Sequence, residues 1–495
     1  MDYDLIVIGA GPGGYEAAGE AASVYGMKTA LVESRELGGT CLNRGCIPTK
    51  TFIHTAELFD ELKRNGSVLG LSGADCVNVD MPALQQRKRD VVEKLRNGIE
   101  TMLRKEKVDI YTGTGCITEP GKVRVTLAED ESAELTAKHI LIATGSVPDT
   151  MDSLEGHDLP GVVTSDGLLD TEKIPETLLI LGGGVIGMEL AQVFNSLGSK
   201  VTVLKASSKI FNNIDKEPGM GLKQILKKRG VEIITGANVT GITGNASGLD
   251  QGADPSTDGT ENNINTGKKT LVCSYSLEGD EDGQVHTIDA EMILLAKGRK
   301  ANTEGLFDEN CEALKAVGKD DKGRIKVNER FETGVPGIYA IGDVIDGKVL
   351  PGHAQLAHVA TAEGRKCLAY INGAADETDL SVIPSCIYTD PGIAATGITP
   401  EEAKEKGIEV VTKKYPMGAN GKAVLSEQDR GFIKIITEAG TGKILGASMM
   451  CPRATDMISI FSQAVAGGMT VEEMKKTIYP HPTFAEGIGE LLRMI

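Results

Sequence analysis

The chain has 495 residues, a formal net charge of −18 at pH 7, and 40% apolar and 25% charged residues. That length supplies several hydrophobic cores and predicts about three or four domains. The acidic balance argues against a nucleic-acid-binding or anionic-membrane surface, and no apolar run approaches the ~20 residues that span a bilayer.

The N-terminus reads Met1-Asp2-Tyr3-Asp4 and runs straight into apolar residues. It shows no basic n-region and no small-residue cleavage site, so a cytoplasmic protein is expected. Asp4-Leu5-Ile6-Val7-Ile8 is a short apolar strand. Gly9-Ala10-Gly11-Pro12-Gly13-Gly14 follows, and then a helical pattern from Tyr15. Strand, G-x-G-x-x-G loop and helix form a dinucleotide-binding unit. A second strand, Thr29-Ala30-Leu31-Val32, ends at Glu33. An acid about 20 residues past the loop suits an adenosine ribose.

Next comes Gly38-Gly39-Thr40-Cys41-Leu42-Asn43-Arg44-Gly45-Cys46-Ile47-Pro48-Thr49-Lys50. Two thiols this close, beside a redox cofactor, can hold and release two electrons as a disulfide. Zinc would need two further ligands at metal spacing, and none lies nearby, so no metal site is expected. The other cysteines, Cys76, Cys116, Cys273, Cys311, Cys367, Cys386 and Cys451, are isolated, and most should be buried small hydrophobes.

The first pattern then recurs. Leu178-Leu179-Ile180-Leu181 leads into Gly182-Gly183-Gly184-Val185-Ile186-Gly187, with a helix from Met188. The next strand, Lys200-Val201-Thr202-Val203-Leu204, ends at Lys205. Two such fingerprints in strand–loop–helix context predict two dinucleotides on one chain. Residues 243–268 are rich in Gly, Asn, Asp, Ser and Thr and predict an exposed loop. Residues 278–284 suit a hairpin turn between strand-like segments at 270–276 and 292–296. From Leu380 onward strands alternate with helices, in a different style from the nucleotide units.

The glycine loops, the 38–50 segment, Ile142-Ala143-Thr144-Gly145, residues 182–189, Gly298-Arg299-Lys300-Ala301-Asn302-Thr303, Ile338-Tyr339-Ala340-Ile341-Gly342-Asp343 and His481-Pro482-Thr483-Phe484-Ala485-Glu486 occur in one order. Over nearly its whole length the chain resembles the pyridine-nucleotide–disulfide oxidoreductases, and most closely their dihydrolipoamide dehydrogenase branch. The resemblance implies an α/β fold: two Rossmann-like dinucleotide-binding domains, for FAD and NAD(P), and a C-terminal α+β dimerisation domain. The expected divisions are 1–151 for FAD, 152–300 for NAD(P) with the insert near 243–268, 301–379 continuing the FAD domain, and 380–495 for the homodimer.

The same resemblance assigns roles. Gly9, Gly11, Gly14, Glu33, Gly39, Thr40, Lys50, Thr144, Gly145 and Asp343 would hold FAD. Gly182, Gly184, Gly187, Lys205 and Ser207 would hold the nicotinamide cofactor, and Gly298 and Arg299 complete the cofactor-binding set. Cys41 would face the substrate and Cys46 the flavin. His481 would act as base, oriented by Glu486, on the disulfide of the partner subunit. Lys50 and Glu189 would form an ion pair beside the flavin. The implied reaction oxidises a protein-bound dihydrolipoyl group and reduces NAD(P). The lipoyl protein would belong to a 2-oxoacid dehydrogenase or glycine-cleavage system.

Two positions depart from the pattern. Tyr479 stands where many family members carry histidine. Lys205 stands where NAD-using members usually carry glutamate, and Ser207, Ser208 and Lys209 follow it. A cation with hydroxyl donors suits a 2′-phosphate, which tilts the expectation toward NADP over NAD. The alternative is a glutathione-type or other low-molecular-weight disulfide reductase using NADPH. It would need extra arginines near the disulfide, and Arg44 is there alone. Mercuric and large thioredoxin reductases carry a further C-terminal redox pair, whereas this chain ends Leu491-Leu492-Arg493-Met494-Ile495.

Overall fold

The computed structural model describes residues 1–128, 131–211, 214–245, 270–281 and 283–495. Two compact units emerge. One comprises Met1–Phe52, Ala83–Val147 and Arg299–Ile495, the other Ile53–Pro82 and Pro148–Gly298.

The first unit is built on a sheet whose centre is Tyr3–Ile8. Thr29–Glu33 and then Asp109–Thr112 pair parallel on one side. On the other side lies Ser132–Ile142, followed by Ile338–Ala340, again parallel. The chain therefore returns after residue 298 to complete the sheet it began at residue 3. Leu5, Ile6, Val7, Leu31, Ile140, Leu141 and Ile142 are buried to the last atom. A parallel sheet covered on both faces needs such unbroken apolar runs. The helices Pro12–Ser23 and Ala357–Ile371 pack against each other through small residues. A Cβ at Gly13 would lie 2.9 Å from the Ala360 carbonyl oxygen, and one at Gly364 3.1 Å from that of Gly13.

The same unit carries a separate antiparallel sheet in the order Ser385–Ile387, Ile393–Gly397, Ile444–Met450, Phe432–Glu438, Val410–Pro416. Its core includes Ile433, Ile435, Met449, Phe461, Ile488, Leu491 and Leu492, contributed by the sheet and by the helices Ala454–Ala466 and Glu486–Arg493.

The second unit repeats the parallel plan: Glu232–Thr235, Lys200–Lys205, Thr177–Leu181, Met292–Leu295, Val162–Val163. An antiparallel sheet of Ala237–Asn245, Thr270–Leu277 and His286–Ala290 accompanies it. The turn expected at 278–284 does join two of these strands. Residues 243–245, expected as loop, are instead strand paired with Val272, Leu271 and Thr270. Pairing with an apolar partner strand overrode their polar composition. Residues 246–268 of the expected insert lie outside the described residues.

Among the described residues no helix is long and apolar enough to cross a membrane, and no group of three or more His, Cys, Asp or Glu could hold a metal ion.

Candidate active site

Each glycine loop connects the end of a parallel strand to a helix, and the spacing of its glycines has a visible cause. Gly9 has φ +101°, and a Cβ there would collide with the Ala143 carbonyl oxygen. A Cβ on Gly14 would collide with the carbonyl oxygen of Gly9. Gly11 faces open space, so its backbone can be approached closely by a ligand. The helix begins at Pro12, not at Tyr15 as the pattern suggested, and Gly14 lies inside its first turn. Proline favours that first turn because its missing N–H has no helical partner to lose. The helix N-terminus and its dipole follow directly on Gly11, the chemistry of a pyrophosphate site.

Glu33 ends the neighbouring strand. Its Oε2 accepts the Ala10 N–H at 2.7 Å and its Oε1 the Arg35 N–H at 2.8 Å. The carboxylate is thereby held at the loop, where it can also accept ribose hydroxyls.

The cysteine segment packs onto this loop. The Gly38 N–H donates to the Ala10 carbonyl at 2.8 Å, and a Cβ on Gly39 would lie 2.6 Å from the Gly11 Cα. Cys41 and Cys46 form a disulfide with Cα atoms 4.6 Å apart. Asn43 Nδ2 donates to the carbonyls of Leu37 and Gly39, both at 2.9 Å, and pins the segment from within. Cys46 is the first residue of the helix Cys46–Asn65, a position that favours a thiolate. Lys50, one turn on, holds its ammonium 4.3 Å from the Tyr388 ring centroid.

The other thiols contrast with this pair. Cys273, Cys367 and Cys451 are buried, Cys116, Cys311 and Cys386 half-buried, and Cys76 exposed. Fewer are fully buried than composition suggested: Cys116 and Cys386 lie on edge strands, and Cys76 and Cys311 lie at short 3-10 turns. Burial pushes the Cys273 thiol up to about 11 and Cys451 to about 12, and it raises Cys116 and Cys367 as well. Burial thus disfavours the thiolate at these four positions.

Thr144 and Gly145 are tied to the returning chain: Thr144 Oγ1 donates to the Asn302 carbonyl at 2.7 Å, and the Asn302 N–H to Gly145 at 2.9 Å. Arg299 donates from Nε to Ser146 Oγ and from Nη2 to the Ser146 carbonyl, both at 2.7 Å. Ser146 in turn donates to Asp343 Oδ2 at 2.6 Å. Ser146 is a residue that sequence reasoning missed. A single serine beside Thr-Gly carries no signal until Arg299 and Asp343 meet it.

The second loop follows the same rules. Gly182 has φ +129° and crowds the Ala296 carbonyl, Gly187 crowds Gly182, and Gly184 faces open space. Its helix starts at Val185, not Met188. Lys205 ends the adjacent strand, with its stem over Gly183, whose Cβ would lie 2.7 Å from Lys205 Cδ. Burial pulls the Lys205 ammonium pKa down. Ser207, exposed, donates to the Lys209 carbonyl at 3.1 Å. Gly298 has φ +151° at the end of this unit. Glu189 is buried on the helix Val185–Ser196.

His481 and Glu486 stand together: Nδ1 and Oε2 are 2.7 Å apart. The glutamate side chain is 17% exposed and the histidine 79%. Glu486 opens the helix Glu486–Arg493, and its N–H donates to Thr483 Oγ1 at 3.2 Å. The buried Asn420 donates to the Thr483 carbonyl at 3.1 Å. This arrangement leaves Nε2 turned outward to take a proton.

Two glycine loops of the dinucleotide-binding pattern, with a cystine packed onto one of them, define the class of dinucleotide-dependent thiol–disulfide oxidoreductases. The sequence profile of the pyridine nucleotide-disulphide oxidoreductases matches residues 3–364, and that of their dimerisation domain matches residues 383–492; the chain belongs to this family. It is 38% identical over 498 aligned positions to a dihydrolipoyl dehydrogenase of Bacillus subtilis, covering 99% of this chain and 97% of the relative. Among solved structures it resembles LpdA of Mycobacterium tuberculosis, with TM-score 0.85, 26% identity and 99% of each chain covered. It also resembles the HOCl-induced flavoprotein disulfide reductase RclA of Escherichia coli, with TM-score 0.81, 27% identity and 100% of each chain covered.

Proposed function

We propose that the protein oxidises dihydrolipoyl groups carried on a partner protein to lipoyl and reduces a nicotinamide dinucleotide, as a cytoplasmic homodimer with FAD in the 1–151 and 301–379 segments. The observation that carries this reading is the Cys41–Cys46 disulfide on the segment packed against Gly11. When bound, FAD supplies two-electron exchange between thiols and nicotinamide.

The chain's own residues supply the rest. The substrate thiolate attacks Sγ of Cys41, forms a mixed disulfide and releases Cys46 as thiolate. The N-terminus of the helix Cys46–Asn65 stabilises that thiolate. The second substrate thiol then attacks the mixed disulfide, closes the lipoyl ring and leaves Cys41 reduced. His481 accepts a substrate proton at Nε2, while Glu486 orients the ring and stabilises its cation. The exposure of His481 in a single chain suits a base that completes the site of a second copy, and the dimerisation match over 383–492 supports this. Lys50 would stabilise negative charge at the flavin.

Lys205 favours NADP over NAD, as a cation placed at the second loop where a 2′-phosphate would lie. The same lysine favours the rival reading, an NADPH-dependent reductase of small disulfides. Against that rival, Arg44 is engaged with both carboxylate oxygens of Glu36, at 2.9 and 2.7 Å. The deciding experiment assays dihydrolipoamide oxidation with NAD and NADP in parallel, and oxidised glutathione reduction with NADPH beside it. Turnover of dihydrolipoamide that vanishes in Cys46→Ser supports the proposal. Turnover of glutathione alone refutes it.

A further inference from the structure

Glu363 points into the protein from the helix Ala357–Ile371 and is fully buried, at 0% exposure. A carboxylate so placed needs partners for its charge. Its Oε2 accepts the Gly342 N–H at 2.6 Å, and its Oε1 lies 2.8 Å from Nδ1 of His353, itself only 10% exposed. The His353 ring lies against Gly347, where any Cβ would collide with it.

This pair sits between two parts of the first nucleotide site. Ala360, on the turn before Glu363, touches both. A Cβ on Gly13 would be 2.9 Å from the Ala360 carbonyl oxygen, and one on Gly342 3.0 Å from the Ala360 Cβ. Gly342 has φ +73°, so the direction of its N–H sets where Asp343 points. A hydrogen bond to a charged acceptor is short and strong and holds that direction. Asp343 then continues through Ser146 to Arg299.

We propose that His353 is a positioning residue for the flavin cradle: paired with Glu363, it holds Gly342 and Asp343 in register with the loop at residues 9–14. The proposal rests on the reading that this unit binds FAD. Removing the ring leaves Glu363 without one of its two partners. The carboxylate then turns toward water or relaxes its hold on Gly342, and Asp343 loses its fixed place.

The test measures the FAD dissociation constant of the full-length apoprotein, together with apo and holo melting temperatures, for wild type, His353→Ala and His353→Gln. His353→Ala is expected to weaken FAD binding at least tenfold and to shrink the gap between holo and apo melting temperatures. A purely structural role would lower both temperatures together. His353→Gln keeps an N–H donor toward Glu363 and should return the affinity to within threefold of wild type. FAD affinity within twofold of wild type in His353→Ala, or no rescue by glutamine, overturns the proposal. Should His353→Ala not fold, the glutamine variant decides alone, with near-wild-type affinity expected and a tenfold loss overturning. Wild type that binds no FAD would refute the cofactor reading as well, a result distinct from unchanged variants.

Discussion

The two glycine loops share one backbone and differ in what faces it. The Gly9 N–H donates to Val32 and the Gly182 N–H to Leu204, at 2.8 and 2.9 Å. Ala143 donates to Ile8 and Ala296 to Leu181, at 2.8 and 2.9 Å. In both loops the first glycine crowds a returning strand, the second is open, and the third crowds the first. At the strand end the resemblance stops. Glu33 is an anion bonded to two backbone amides. Lys205 is a cation whose ammonium makes no hydrogen bond or ion pair with another described residue, and only its stem packs, over Gly183. The backbone geometry is thus common to the two loops, and under the proposed function the strand-end side chain would set which dinucleotide each prefers.

The sharpest way to break this comparison is to crowd each loop in turn. Gly14→Ala and Gly187→Ala each force a Cβ into a carbonyl oxygen, so each should cost about 2–3 kcal/mol of stability. Only Gly14→Ala should purify without yellow colour. Gly187→Ala should keep its flavin and show a KM for the nicotinamide cofactor raised tenfold or more. If both variants lose flavin alike, the assignment of one cofactor to each loop is wrong.

Removing the strand-end charges comes next. Glu33→Leu leaves the Ala10 and Arg35 amides without their acceptor and should cost about 1–3 kcal/mol in denaturant unfolding of the apoprotein. Lys205→Leu should stay within about 0.5 kcal/mol of wild type, since no polar partner depends on it. Equal losses would mean that Lys205 has a structural role after all.

Lys205→Glu should shift the NADP/NAD ratio of kcat/KM toward NAD by about ten- to hundredfold. The full Coulomb effect at ~4 Å and an effective dielectric of ~20 is several kcal/mol, and solvent screening at this half-exposed site reduces it. A wild-type enzyme that already prefers NAD by tenfold would sink the idea.

The smallest effect belongs to the open positions. Gly11 has φ −68° and Gly184 φ −83°, which alanine adopts without strain. Gly11→Ala and Gly184→Ala should leave the apoprotein as stable as before, or about 0.4–1 kcal/mol more so. Each should nonetheless weaken binding of its own cofactor, because the added methyl stands where the ligand backbone approaches.

Much of this was legible before folding. The glycines announce themselves because a tight turn and a close backbone approach admit no side chain. Cys41 and Cys46, and His481 and Glu486, are near neighbours in the chain, and in both cases the residues do meet. The helix starts were misjudged by about a turn, since each first turn carries glycine and shows no hydrophobic periodicity of its own. Residues 243–245 read as loop because their pairing with 270–272 joins segments separated by the whole polar insert.

Residue types, loop spacing and the redox pair were determined by the sequence itself, because each depends on atoms a few bonds or one turn apart. Only the tertiary structure decided that Gly39 abuts Gly11, that Ser146 bridges Arg299 and Asp343, and that His353 meets a buried Glu363. Those contacts join stretches far apart along the chain. Their geometry exists only once the sheet and the helix Ala357–Ile371 have packed, and no local pattern carries it.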